Sequence, residues 1–70
     1  MTGNEFTRKV RRLGRRRGVK VAFGPERGKG SHRTLYYGDK LTVVRNPKDE
    51  LKTGTLQAML IQLGITLSEL

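Results

Sequence analysis

The chain contains a single histidine, His32, within "GKGSHRTLYY" at residues 28–37, directly after a glycine-rich cationic stretch. An imidazole exchanges protons near neutral pH, which suits general acid–base work. RNA carries its own nucleophile, the 2′-hydroxyl. Cleavage therefore needs only removal of that proton, protonation of the leaving 5′-oxygen, and stabilisation of the crowded phosphorane between them. Lys29 and Arg33, with the backbone N–H groups of Gly28, Gly30 and Ser31, are the groups near His32 suited to hold a phosphate. Glycine also lets backbone approach a substrate closely. The plainer reading of His32 is an exposed strand-edge side chain with no task, and the residues alone leave both readings open.

Other chemistries fit less well. Zinc needs three or four His, Cys or carboxylate ligands, and this chain has one His, no Cys and scattered acids. Only Asp49 and Glu50 are adjacent, so Mg²⁺-assisted phosphoryl chemistry is not expected. "GPERGKGS" lacks the consecutive Gly-Lys-Ser/Thr of a P-loop. Ser31 has only His32 beside it, on the opposite face of a strand, so no nucleophilic triad forms. The expectation is a site with no metal and no cofactor.

These residues need elements to position them. "TGNE" fits a capping box with Thr2 and Glu5, and Phe6, Val10 and Leu13 follow as one narrow apolar stripe. Arg8, Arg11, Arg12, Arg15 and Arg16 fall on the far side of that helix, with Gly14 weakening its last turn and Gly18 as its left-handed stop. Three short strands are predicted over 19–23, 31–37 and 41–45, with "GPERGKG" as a loop and Gly38-Asp39 as a type II′ hairpin turn. A second helix carries Leu56, Met59, Leu60 and Leu63 on one face, with Thr53 or Thr55 as its cap and Gly64 as its stop. Thr66 and Glu69 form another capping box. The order predicts a single α+β domain over residues 1–70, a three-stranded antiparallel sheet with helices on one face, in the α-β-β-β-α order of the double-stranded-RNA-binding domain. Tyr36 shares the strand face of His32 and is either a base-stacking side chain or a half-buried strand tyrosine.

Charge points to the partner. Of fifteen Lys and Arg, eleven lie in residues 1–33 against Glu5 and Glu26, while residues 34–70 balance four against four. The net +9 thus sits in the first half, and such a one-signed field attracts a polyanion, nucleic acid above all. A solubilising surface or basic tail is the bland alternative. Without cysteine, signal-like apolar core or membrane-length run, the expected setting is cytoplasmic.

"GKGSHRTLYY", a short hairpin and "ELKTGTLQAMLIQLGITLSEL" together resemble the HicA mRNA-interferase toxins of toxin–antitoxin pairs. The specific marks are "GSH" at 30–32 and "LKTGTLQAMLIQLGIT" at 51–66, similar to the family pattern "LKKGTLRxILRQAGLS". The resemblance implies a double-stranded-RNA-binding-like fold, ribosome-independent mRNA cleavage with His32 as the catalytic histidine, Gly30 and Ser31 shaping its loop, and neutralisation by a HicB-type antitoxin. Where many members carry "VPxHPGKEL", this chain has "VVRNPKDEL"; a second histidine is missing, and Arg45 either substitutes for it or activity is lower. The general acid is Lys29, Tyr36 or water. Arg8, Arg11, Arg12, Arg15, Arg16 and Tyr36 are the expected RNA contacts. Two alternatives are a non-catalytic double-stranded-RNA-binding module and a basic ribosome-associated protein.

Overall fold

Helix α1 spans Gly3–Arg17 and starts where Thr2 and Glu5 satisfy each other's backbone. Glu5 donates its N–H to Thr2 Oγ1 at 3.2 Å, and Thr2 donates its N–H to Glu5 Oε1 at 3.1 Å. It ends at Gly18, whose φ of 68° is one that other residues adopt only with strain. Its buried stripe is wider than three residues. Gly3, Thr7 and Gly14 join Phe6, Val10 and Leu13, and the Thr7 hydroxyl is satisfied by Gly3 O at 2.9 Å.

The computed structural model describes residues 1–24 and 32–70. Strands β1 (Val21–Phe23), β2 (Arg33–Tyr37) and β3 (Lys40–Val44) form an antiparallel sheet in the order β1-β2-β3. β1 is shorter than the alternation from Val19 suggests, because Val19 is spent on the turn out of α1, donating its N–H to Gly14 O at 2.8 Å. Between β2 and β3, Gly38 has φ 62°, and among the described residues no non-glycine has positive φ. Positive φ at only the first turn position is the type II′ pattern.

Helix α2 spans Thr53–Leu63 and stops at Gly64, φ 69°. Its N-cap is Lys52, with no side-chain capping bond, so neither Thr53 nor Thr55 caps it. Both threonines lie inside the first turn, one residue or more too late to accept from the exposed N–H groups. A short 3₁₀ turn, Leu67–Glu69, follows, and the Glu69 carboxylate accepts from the Thr66 N–H at 2.7 Å as expected.

One core holds these elements together. Phe6, Val10 and Leu13 of α1 meet Leu35 and Tyr37 of β2, Val44 of β3, and Met59, Leu60 and Leu63 of α2, with Ile65 closing the end. Side chains alternate across a strand, so every buried strand residue lies on one face and both helices cover that face. The α-β-β-β-α order and this one-sided packing are those expected from sequence. Ala22, Leu41 and Val43 remain exposed on the other face.

Candidate active site and cationic surfaces

His32 lies immediately before β2 and is exposed. Alternation along β2 groups it with Thr34 and Tyr36 on the face that the helices leave open. The β2–β3 register pairs Arg33 with Val44, and one further step sets Arg45, also exposed, across from His32. An imidazole and a guanidinium thus border the same end of an uncovered sheet. Tyr36 is half-buried on that face, with Gly24 packed alongside it and Thr34: a Cβ on Gly24 would lie 3.5 Å from the tyrosine ring. Four residues of strand separate Tyr36 from His32 by about 13 Å, too far for both to serve one phosphate.

Arg33 faces the other way. Its guanidinium stands over the Phe23 ring, 5.5 Å from the centroid, a cation–π contact on the helix side of the sheet. There it lines a cleft of about 570 Å³ with Asn4, Pro47 and Lys48, and a neighbouring one of about 450 Å³ with Arg8 and Arg11. The structure therefore brings Arg33 together with Arg8 and Arg11 rather than with His32. Lys29, Gly30 and Ser31, expected to support the phosphate, lie outside the described residues.

The arginines of α1 are divided by the helix wheel. Arg8, Arg11, Arg12 and Arg15 are exposed, and Arg11 and Arg15 border a groove with Val19 and Val21 at the β1 edge. Arg16 donates to Glu69 O at 2.8 Å, and Arg17 forms an ion pair with the Glu69 carboxylate. Glu69 is thus a clamp between α1 and the 3₁₀ turn that sequence reasoning reached only as a capping residue. Its two partners lie 52 and 53 residues away, and no local pattern announces such a pairing.

Glu69 and Glu5 titrate below the ordinary glutamate range. Glu69 is lowered first by Arg17 and then by the Thr66 backbone, and Glu5 first by the Thr2 N–H. A lowered folded-state value means that the unfolded chain takes up the proton first. Their stabilisation is therefore present above the ordinary range and lost as pH falls through the lowered values. Thermal melts through the acid range should show this loss, and Glu69→Gln should flatten the slope.

Among the described residues, no group of three or more His, Cys, Asp or Glu converges to hold a metal ion, and no helix is long and apolar enough to cross a membrane. Two helices on one face of a three-stranded antiparallel sheet, in this order, make the fold that of the double-stranded-RNA-binding-domain-like class. A family model described as the HicA toxin of bacterial toxin–antitoxin matches residues 7–65, most of the chain. The chain belongs to the HicA toxin family. No curated protein and no solved structure matches it significantly.

Proposed function

We propose that this chain is the toxin of a type II toxin–antitoxin system, an endonuclease that cuts mRNA in the cytoplasm without a metal ion and without the ribosome. The observation that carries the reading is His32, exposed on the open sheet face of a HicA-family chain. In the reaction the 2′-oxygen attacks the neighbouring phosphorus as its proton leaves. The P–O5′ bond then breaks, and the 5′-oxygen takes up a proton. The products are a 2′,3′-cyclic phosphate and a 5′-hydroxyl. His32 serves one of these proton transfers. Lys29, Gly30 and Ser31 precede it in sequence and supply charge and N–H groups to the phosphate.

Arg8, Arg11, Arg12 and Arg15, with Arg33 beside the first two, hold the RNA backbone away from the scissile bond. Tyr36 stacks a flanking base. A HicB-type antitoxin covers the His32 face, and acidic groups on it answer the charge excess.

RNA should be cut in the presence of EDTA, while DNA and 2′-O-methyl RNA, which lack the free 2′-hydroxyl, should stay intact. Binding of intact RNA with no cutting would instead identify a non-catalytic binding module, a reading favoured by the placement of the α1 arginines on the opposite side of the sheet from His32. Affinity should fall steeply with salt, and Arg11→Ala should reduce the slope of log K against log salt by about one. An unchanged slope would remove Arg11 from the RNA contact.

A further inference from the structure

The sheet ends in an edge whose main chain is exposed to recognition. Gly38 donates its N–H to Lys20 O at 2.8 Å, and Gly24 donates to Thr34 O at 2.6 Å. In an antiparallel ladder, bonded pairs alternate, so the even-numbered residues of β2 bond toward β1. Its odd-numbered residues, Arg33, Leu35 and Tyr37, bond toward their partners Val44, Thr42 and Lys40. The N–H and C=O groups of Leu41 and Val43 consequently point outward from β3, the last strand of the sheet.

The side chains there are not protective either. Leu41 and Val43 are 50% and 45% exposed on the uncovered face. A groove of about 630 Å³ runs beside them, bounded by Thr55, Ala58 and Gln62 of α2 and reaching Arg45. Strands that must stay unpaired are blunted by proline, bulges or lysine on the edge. From Leu41 to Val43 there is no proline or charge, and the pairing with β2 runs unbroken. The nearest lysine, Lys40, is drawn elsewhere: a Cβ on Gly64 would lie 2.7 Å from its Nζ, which places the amine over the C-terminal cap of α2.

We propose that the outer edge of β3 is a docking edge that takes an extended strand from an acidic partner protein. The strand pairs with the main chain of Leu41 and Val43 and sets apolar side chains over theirs. Charge selects this occupant over a second copy, since each copy carries a net +9 and its edge from Lys40 to Arg45 holds no acidic residue that could answer the Arg45 of another. Arg45 ends the edge and receives a carboxylate. Because Arg45 lies across from His32, a partner anchored on β3 has its body beside the imidazole. The identity of that partner as the antitoxin rests on the proposed function; the edge itself rests on the register.

The test measures affinity between this chain and the product of its neighbouring reading frame, the HicB-type candidate. Val43→Pro removes an N–H that faces away from β2, so the β2–β3 ladder survives. Leu41→Glu places a like charge against an acidic strand. Each variant should weaken binding about tenfold or more, and RNA cleavage by the free Val43→Pro protein should be unchanged, since Val43 lies across from Thr34 and not from Tyr36. In the wild-type complex, the amides of Leu41 and Val43 should gain protection from hydrogen exchange. Equal binding by both variants, with no protection at these amides, would overturn the docking edge and leave the antitoxin reading standing. Failure of the wild-type chain to bind the acidic protein would overturn that reading and this partner together. Self-association abolished by Val43→Pro would make the occupant a second copy, contrary to the proposal.

Discussion

His32→Ala is expected to lower RNA cleavage by about 10²–10⁴-fold, the usual contribution of one positioned general acid or base. The fold should tolerate the change. His32 is exposed and lies just outside β2, where truncation typically costs less than about 0.5 kcal/mol. RNA binding should be nearly intact, because the exposed arginines of α1 lie on the other side of the sheet. Single-turnover cleavage, set beside equilibrium binding and a thermal melt, separates the three effects. Loss of cleavage with binding and melting retained assigns His32 to the chemistry. Undiminished cleavage would move the reacting groups to another part of the molecule. Induced expression gives the cellular counterpart: growth arrest with the natural chain, none with His32→Ala.

The second large effect concerns Gly14. Alanine is the better helix former by about 1 kcal/mol, so Gly14→Ala should stabilise α1 if helix propensity decided the outcome. It should instead destabilise the protein by about 1–3 kcal/mol, the cost of forcing a methyl group into a filled site. A Cβ at this position would lie 2.7 Å from Val19 O and run into the Val21 side chain. The valine can shift, but the carbonyl is backbone in a turn already fixed by the Val19 N–H bond to Gly14 O at 2.8 Å. At a size of 60–100 residues, each kcal/mol moves the melting temperature by roughly 4–8 °C. Gly54→Ala is the control. Nothing lies within 4 Å of a Cβ there and its φ is not positive, so the same substitution should raise stability by about 0.5–1 kcal/mol. Opposite signs from two identical changes in two helices would confirm that α1 approaches the sheet at Gly14. A gain at both would show that the approach is not close.

Gly14 also illustrates what local sequence conveys. Its effect on helix propensity is legible in one dimension, whereas its contact with Val19 and Val21 requires the chain to turn back on itself. Capping residues, helix stops and the Gly38-Asp39 turn depend on neighbours within a few positions, so Thr2, Glu5, Gly18, Gly38 and Gly64 are readable without a structure. The cap of α2 is the exception, because Thr53 and Thr55 have the right chemistry one or more residues too far along.

For the site, the face of His32 and Tyr36 follows from strand alternation, but the division of the cations does not. Arg33 is adjacent to His32 in sequence and points to the opposite side, where Phe23 receives it. Arg16 and Arg17 carry the same charge as Arg12, yet Glu69 engages only those two. Helical phase sets Arg17 in line with the stripe of Val10 and Leu13 and Arg16 on its flank; the pairing itself is tertiary.

The one-sided packing of the sheet bears on how such a domain diversifies. Substitutions at Leu35, Tyr37 or Val44 disturb folding, whereas Thr34, Leu41 and Val43 are one step along the same strands and outside the core. Two sets of residues, interleaved position by position, thus answer to separate selective demands. On the docking proposed at β3, a copy of this domain can change the partner it recognises through Leu41 and Val43 while keeping the same core.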